Sequence, residues 1–425
     1  MTGMPSPQLL AAIEVALAEA ALTKPHPEIQ PDLTITPSND VKTVAAAVSP
    51  ESSYRLVKET VDAAREDLRL YIYHVEADYL IELLRDAEAR GVRVRIMCEA
   101  SQNNEDEQQR LRDLGAEVKT APSTRDRPAF SLCHQKFAVI DGKTLLLGSA
   151  NWGDNGVPLL TEPGAFFPGY REWFVRIDNE SLADWFTGLF DADWDVPVQE
   201  VPPGVVEEAL ARAPVLVPVV AGAVPEKLFD IQRVELDEPV RVTPIISPDN
   251  YLTRTKQLIE EATSSIDIQQ QYIKFRVADT PQLGELLAAL ERRKDELTIR
   301  ILLSARFPES WEDSLASLAQ FNLIDRVKAM NSEFFAHLHN KGLIFDRRKV
   351  IVTSTNWSQN SIALAREAGV LIESPEIAEY YAEVFDFDWE IARNPSDVRL
   401  DIENLMALAA ADTVQYVPVH PADIA

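Results

Sequence analysis

One short pattern of residues occurs twice in this chain of 425 residues, with the same internal spacing each time. It is a histidine, a lysine two positions later and an aspartate five positions after that, followed further on by Ser, any residue, Asn and Trp. The first copy comprises His134, Lys136, Asp141, Gly148, Ser149, Asn151 and Trp152. The second copy comprises His339, Lys341, Asp346, Thr353, Ser354, Asn356 and Trp357. Three fixed residues arise by chance, but two longer matched sets do not, so we predict a chain built from two similar halves.

The similarity between the halves extends well beyond these motifs. In each half a Ser-Pro step, a helical pattern and an apolar strand pattern precede the motif, and an Arg-Glu pair and an FDxDW segment follow it. Alternating helices and short apolar strands predict an α/β fold. We therefore expect two α-β-α layered domains related by a pseudo-two-fold axis, with a shared site at their interface.

The repeat also predicts the domain boundaries. The segment between the halves is rich in proline, and we predict a linker there with one helix at 205–212. The final segment is acidic and reads as helical at its start. The predicted units are an N-terminal helical extension at 1–31, a first domain at 32–196, the linker at 197–240, a second domain at 241–400 and a tail at 401–425.

The halves differ in two insertions. The second half carries about seven extra residues near 274–283, and the first carries about ten extra in the Gly- and Pro-rich segment 153–169. The latter follows Asn151 directly and is expected to be a loop. We predict that it overhangs the site and influences specificity.

Composition restricts the class of protein. The formal net charge of −27 argues against broad coating of nucleic acid or anionic membrane, although it leaves room for a small cationic pocket. No apolar run reaches the length of a membrane span, and the N-terminus lacks the basic region of a signal peptide. Two scattered cysteines provide neither a disulfide framework nor zinc-ligand spacing, so a cytoplasmic location is expected.

The residue types in the motifs suit phosphodiester chemistry. In a strand, side chains two apart share a face, so each motif His should project together with its Lys. Asn151 and Asn356 each follow a second apolar run that reads as a neighbouring strand. Two ammonium groups and two amides can stabilise the charge on a reacting phosphate. An imidazole can act as a nucleophile and as a general acid. Glu172 and Glu367 are candidates to hold the second nitrogen of each imidazole.

These residues resemble the phospholipase D superfamily, whose mark is the doubled H-x-K-x4-D motif with a trailing Gly/Ser-x-Asn. The resemblance covers roughly 34–394, and Thr353 departs from the Gly148 of the first half. It implies a two-step reaction through a phosphohistidine without metal or other cofactor. It further implies that His134 is the nucleophile and His339 the acid/base. The remaining implied site residues are the phosphate-binding Lys136, Lys341, Asn151 and Asn356 and the histidine-orienting Glu172 and Glu367.

Other residues receive supporting or structural assignments. Asp141 and Asp346 are expected to bond turn backbone, while Ser149 and Ser354 are expected to support the site. The FDxDW segments and the two motif tryptophans are interpreted as packing residues, not as metal or base-binding groups. Possible substrate contacts, each weighed against a purely structural role, are His74, Tyr272 and His337.

The substrate stays open at this level, because the superfamily includes lipid enzymes and nucleases. Basic residues at 125–127 and 274–276 could flank the site and favour slightly a phosphodiesterase acting on nucleic acid, whereas those at 347–349 are expected to lie in an exposed turn, and no basic run is present. The alternative is a phospholipase D or phosphatidyltransferase, resembling cardiolipin synthases, that acts on phospholipid headgroups. A third hypothesis, an inactive binding paralogue, conflicts with the complete set of motif residues.

Overall fold

A computed structural model describes residues 9, 12, 13, 34–99, 105–124, 127–197, 215–276, 281–398, 414–419 and 423. Within this part of the chain, fifteen strands form one continuous sheet that runs through both halves. Its middle is the antiparallel pair of β1 (Ser38–Ser49) and β11 (Gln232–Ser247). The strands of one half lie on each side of this pair.

The two sides of the sheet have the same topology. Outward from β1 the order is β9, β8, β7, β2, β3 and β4, and outward from β11 it is β18, β17, β16, β12, β13 and β14. The first-half strands are β2 (Asp67–Ile72), β3 (Arg93–Cys98), β4 (Glu117–Thr120), β7 (Lys136–Ile140), β8 (Thr144–Gly148) and β9 (Tyr170–Asp178). The second-half strands are β12 (Ser265–Gln270), β13 (Thr298–Leu303), β14 (Val327–Ala329), β16 (Leu343–Phe345), β17 (Lys349–Thr353) and β18 (Glu367–Glu373). The predicted two-fold relation of the halves is confirmed.

Short strands outside this order connect the two halves or form small ribbons. The two-residue strand β15 (His337–Leu338) pairs with β9 of the other half. The remaining strands form two separate ribbons, β5 (Ser123–Thr124) with β6 (Arg127–Pro128) and β10 (Val215–Val220) with β19 (Val414–Val419).

Amphipathic helices cover both faces of the sheet, since each buries an apolar stripe against it. One face is covered by α4 and α8, and there both halves contribute to one apolar core. On the other face the halves have separate cores, which contain α1 and α2 in the first half and α5 and α6 in the second. The α-β-α layering is therefore as predicted. The helices are α1 (Ser53–Ala63), α2 (Asp78–Ala89), α3 (Glu105–Arg112), α4 (Glu180–Trp194), α5 (Tyr251–Glu261), α6 (Pro281–Arg293), α7 (Pro308–Gln320) and α8 (Pro375–Ile391), with a 3₁₀ turn at Ile324–Arg326 and a π-helical turn at Asn360–Leu364.

The linker and the tail differ from the prediction. The described part of the linker contains β10 and the first residues of β11, and β10 pairs with β19 from the tail. Strands form here because two apolar, Val-rich runs pair with each other. A local sequence pattern does not show a pairing between segments so far apart in the chain. The predicted linker helix and the helical start of the tail lie outside the described residues.

Of the N-terminal extension, only residues 9, 12 and 13 are described, and they are helical. Ile13 is buried in the apolar core of the second half, as expected for a segment that docks against the body. In the part of the chain that the structure describes, no helix has both the length and the apolar character needed to cross a membrane.

Candidate active site at the interface of the two halves

The two motif histidines are placed by strands of the opposite half. The backbone N–H of His134 donates to the carbonyl of Arg366 at 2.8 Å, and that of His339 donates to the carbonyl of Arg171 at 3.2 Å. The prediction that each His lies on one strand with its Lys is therefore wrong. Lys136 begins β7 while His134 precedes it, and the second-half pair lies between β15 and β16. The chain leaves its own sheet here to bond across the interface.

Each histidine is oriented by a glutamate of the other half. Nδ1 of His134 donates to the carboxylate of Glu367 at 2.9 Å, and Nδ1 of His339 donates to Glu172. All four side chains are buried. With Nδ1 engaged, Nε2 of each ring is the nitrogen left to face a substrate. Neither half could build this arrangement alone.

A serine holds each of these carboxylates in turn. The hydroxyl of Ser149 donates to Glu172 at 2.5 Å, and that of Ser354 donates to Glu367 at 2.5 Å. Each serine oxygen also accepts a backbone N–H from the strand that carries the glutamate. The motif serines thus fix the glutamates, which fix the histidines.

Burial shifts the titration of this cluster toward neutral forms. Desolvation lowers the pKa of His134 and lowers that of His339 further, while the adjacent carboxylate of Glu367 opposes the shift for His134. Burial also raises the pKa of Glu172 to about 7, against the lowering effect of Lys341 and the Ser149 hydrogen bond. A carboxyl and an imidazole with pKa values drawn toward each other are suited to exchanging a proton near neutral pH.

The two lysines project into the same buried space. Nζ of Lys136 donates to the carbonyl of His134 at 2.5 Å, and Nζ of Lys341 makes the equivalent bond to His339. Burial lowers the pKa of both ammonium groups, to about 8 for Lys341, and the two positive charges also repel each other at Lys136. An anion between them would relieve both effects, as expected of a phosphate site.

The interface is held by two buried ion pairs that sequence reasoning missed. Arg171 donates to Glu51 at 2.7 Å and to Asp388 of the other half at 3.0 Å. Arg366 donates to Asp193 across the interface at 3.1 Å. The sequence signal was present, because both aspartates belong to the repeated FDxDW segments and both arginines precede the site glutamates. Nothing local indicated that the partners lie in opposite halves.

The two motif asparagines lie in the site, and one of them bonds a residue of the tail. Asn151 and Asn356 are both buried and follow β8 and β17, as the apolar runs predicted. Nδ2 of Asn151 donates at 2.6 Å to the carboxylate of Asp423, which comes from the tail. Asp423 is the second feature of the site that the sequence did not suggest.

The three possible substrate contacts are all buried. His337 packs against Tyr170 and against His339, with ring centroids 5.7 and 5.9 Å apart, and Ser304 bonds its Nδ1 at 2.7 Å. Tyr272 lies in the second half within electrostatic range of Glu367, and Lys274 sits over its ring at 4.0 Å. His74 lies two residues beyond the end of β2, where its carbonyl accepts from the N–H of Trp152.

The motif aspartates lie outside the site. Asp141 accepts the backbone N–H groups of residues 65–67, and Asp346 those of residues 263–265. Each therefore joins the end of the first helix of its half to the strand after it. The two motif tryptophans are buried, and Trp357 donates to the hydroxyl of Tyr251 at 2.9 Å.

The Gly148/Thr353 difference between the motifs has a packing explanation. Gly148 is paired in register with Phe174, and a Cβ at Gly148 would lie 2.6 Å from that ring. In the second half Thr353 is paired with Gly369, where an added Cβ would lie 2.6 Å from the threonine. Each pair has one glycine that leaves room for the facing side chain, and the strand that carries this glycine is exchanged between the halves.

The loop at 153–169 lies beside the site and contacts the tail. Asn155 is buried, and its Nδ2 donates to the carbonyl of Pro418 at 2.5 Å. Phe166 packs on Phe335 with ring centroids 5.8 Å apart. No group of three or more His, Cys, Asp or Glu side chains suited to a metal ion occurs among the residues described.

A family model described as "Cardiolipin synthase, PLD-like domain" matches residues 57–194 and 255–389, more than half of the chain. The chain belongs to the phospholipase D superfamily. Its two matched segments correspond to the two halves, each with one complete motif. The superfamily includes enzymes that act on phosphodiester bonds.

Curated relatives match only one part of the chain. Mitochondrial cardiolipin hydrolase of Mus musculus is 29% identical over 138 residues, 31% of this chain and 60% of that protein. The Canis lupus familiaris protein of the same name is 29% identical over 147 residues, 34% of this chain and 52% of that protein. The match thus spans little more than half the length of these relatives.

A solved structure matches nearly the whole chain. Phosphatidylserine synthase of Haemophilus influenzae Rd KW20 superposes with a TM-score of 0.55 at 15% identity, covering 89% of this chain and 90% of that one. At this identity the likeness concerns the fold alone.

Proposed function

We propose that this protein cleaves the phosphodiester bond of a phospholipid headgroup through a phosphohistidine intermediate. The observation that carries the chemistry is the pair of crossed His–Glu contacts between the two buried lysines. The choice of phospholipid is supported by the cardiolipin synthase family model and by the relatives named cardiolipin hydrolase. The sequence-based preference for nucleic acid receives no such support.

The surroundings of the site agree with a lipid substrate. An apolar cavity of about 270 Å³, lined by residues that include Val217, Phe307 and Met330, lies next to it. Phe307 lines this cavity and also contacts the ring of His337, with centroids 5.2 Å apart. His337 in turn packs on His339. The cavity is therefore connected to His339 through the rings of Phe307 and His337.

The third basic segment, 347–349, is largely neutralised by neighbouring carboxylates. Arg347 is paired with Glu379 and Asp386, both at 2.6 Å, and Lys349 lies between two glutamates at 3.6 and 3.8 Å. Charges paired in this way contribute little to counterion release on binding a polyanion. Residues 125 and 126 of the first basic cluster lie outside the described part of the chain.

In the proposed first step, Nε2 of His134 attacks phosphorus, and the bond from phosphorus to the leaving alkoxide breaks. His339, which carries a proton on each ring nitrogen with Glu172 balancing its charge, donates the Nε2 proton to the leaving oxygen and becomes neutral. The positive charge that develops on the ring of His134 is stabilised by Glu367, and the phosphate oxygens receive charge from Lys136 and Lys341.

In the second step His339, now neutral at Nε2, accepts a proton from water or from an acceptor alcohol. The oxygen attacks phosphorus and the bond between phosphorus and His134 breaks, which returns both rings to their starting state. Water gives a phosphatidic acid by hydrolysis, whereas an alcohol gives a transferred phosphatidyl group.

A direct comparison of substrates tests this function. The purified chain is assayed on vesicles of cardiolipin, phosphatidylglycerol and phosphatidylcholine, and on single-stranded DNA and RNA, each with and without added glycerol. We expect cleavage of lipid, abolished in His134→Ala, with Glu312→Gln on the exposed surface as the control. Cleavage of nucleic acid together with intact vesicles would refute the proposed substrate. Release of transferred product only with glycerol present would identify a transferase.

A further inference from the structure

The catalytic pocket contains a carboxylate of the chain itself. This residue, Asp423, is 95% buried. Its Oδ1 accepts at 2.6 Å from the side chain of Asn151, which lies 272 residues earlier in the sequence. Its backbone carbonyl accepts from Nε2 of Gln271 at 2.6 Å. Its carboxylate lies close enough to Tyr170, and its backbone close enough to His337, to affect both electrostatically.

These partners come from both halves, so Asp423 lies where the halves meet. Asn151 and Tyr170 belong to the first half, and Gln271 and His337 to the second. The negative charge also acts on the reactive groups, because it stabilises the ammonium forms of Lys136 and Lys341. An anion that bonds the site asparagine and neutralises both lysines has the chemistry expected of the substrate phosphate.

A two-stranded ribbon delivers this carboxylate. β19, which ends four residues before Asp423, pairs along its whole length with β10. One face of the ribbon, including Val217 and Val417, packs on Tyr170 and Ala336 in a small apolar cluster. The opposite face is exposed, with Leu216 and Tyr416 in solvent.

The ribbon is attached to the body by few contacts. Besides the small cluster, the described bonds from the ribbon to the body are those of Asn155 to Pro418 at 2.5 Å, of Val220 to Glu333 at 3.2 Å and of Arg306 to Pro218 at 2.8 Å. An isolated pair of strands is marginally stable in water, and segments with few buried contacts open at low free energy. The ribbon is thus suited to leave the site while the rest of the fold stays intact.

We infer that Asp423 is an internal competitor of the substrate, which occupies the phosphate position and must leave before a phosphodiester can bind. The inference rests on the proposed function only in that the pocket takes a phosphate group. While Asp423 occupies the phosphate position, the protein molecule cannot bind a phosphate there. The apparent affinity for phosphate is therefore reduced in proportion to the fraction of molecules in which the position is free. Loss of the carboxylate should therefore tighten binding of any phosphate.

The test measures binding of inorganic phosphate to the full chain by calorimetry. Asp423→Asn and Asp423→Ala are compared with Asp295→Asn, which removes the same charge from an exposed position of the second half. We expect phosphate to bind roughly tenfold more tightly to both Asp423 variants, in the usual range of coupling between two ligands, and no change in the control. KM for the phospholipid should fall by a similar factor, with kcat no lower.

A second variant separates the carboxylate from the ribbon that carries it. Val417→Asp places a charge in the apolar cluster and should release the ribbon, so it should tighten phosphate binding although Asp423 is retained. Thermal melting checks that each variant is folded. Unchanged phosphate affinity in Asp423→Ala would overturn the inference, as would a loss of kcat in folded Asp423→Asn, which would assign this residue to the catalytic machinery instead. Tighter phosphate binding without any phospholipid cleavage would support the inference and refute the proposed function.

Discussion

The crossed His–Glu contacts predict a specific effect of Glu367→Gln. The carboxylate of Glu367 accepts from Nδ1 of His134 at 2.9 Å and from the hydroxyl of Ser354 at 2.5 Å, and its side chain is fully buried. A glutamine of the same shape can still accept the Nδ1 proton through its oxygen. The substitution therefore removes the charge and leaves the position of the ring nearly unchanged.

The magnitude follows from the charge that forms on His134 during attack. With the centres of imidazolium and carboxylate about 4 Å apart, their attraction is about 4 kcal/mol at an effective dielectric constant of about 20. A loss of this size in the transition state lowers kcat about 10³-fold, since each 1.36 kcal/mol is a factor of ten. Stability should not suffer, because a buried carboxylate is removed and not created.

The assay uses two phosphodiesters that differ in their leaving group, the phospholipid and bis(p-nitrophenyl) phosphate. Glu367→Gln should lose about 10³-fold on both, because it impairs attack by His134 whatever group leaves. Glu172→Gln impairs His339, which protonates the leaving oxygen in the first step. It should therefore slow the first step on the phospholipid but not on bis(p-nitrophenyl) phosphate, because p-nitrophenolate leaves without a proton. It should thus release a burst of p-nitrophenol equal to the enzyme concentration. Glu373→Gln, further along the same strand as Glu367, is the matched control.

Two outcomes would contradict this reasoning. If folded Glu367→Gln kept a tenth or more of the activity, the carboxylate would not stabilise the charge on His134. A burst in Glu367→Gln that is absent from Glu172→Gln would exchange the roles of the two histidines.

Three further predictions concern pH, metals and the interface. The pH profile of kcat/KM should be bell-shaped: it should fall at acid pH as the ring of the nucleophile His134, whose pKa burial lowers, is protonated, fall above about pH 7 as the pair of His339 and Glu172, whose pKa burial raises to about 7, loses the proton that the leaving oxygen needs, and fall further above about pH 8 as Lys341, whose pKa burial lowers to about 8, loses its proton. Phospholipid cleavage should be unchanged after dialysis against EDTA, because the two lysine ammonium groups supply the positive charge that a metal ion would otherwise bring. A loss of activity that Mg²⁺ or Zn²⁺ restores would contradict this. In urea unfolding, Arg171→Met should lower the free energy of unfolding by about 3–5 kcal/mol because it leaves two buried carboxylates unpaired. Arg241→Met, the control in a half-exposed pair 3.7 Å long, should lower it by less than about 1 kcal/mol. Equal losses would show that the buried pairs do not hold the halves together.

Much of the fold follows from local pattern. The helical pattern from Tyr54 and the strand pattern that follows it correspond to α1 and β2, and the repeat places α5 and β12 in the second half. These elements could be predicted because apolar period and chain breaks are properties of neighbouring residues. The strands β10 and β19 were missed because each depends on a partner about two hundred residues away.

The sequence alone determined which residues could form the site, because identical spacing in two copies selects His, Lys and Asn, and a repeated Arg-Glu step marks the glutamates, regardless of how the halves are arranged. It also implied that the copies meet at one place. Only the tertiary structure decided which glutamate holds which histidine. Because Glu172 is nearer to His134 along the chain, it would be the expected hydrogen-bond partner of that histidine. The backbone hydrogen bonds that cross the interface place Glu367 beside His134 instead. The place of Asp423 was decided in the same way, since no local pattern marks an aspartate that reaches the site only through the pairing of two distant strands.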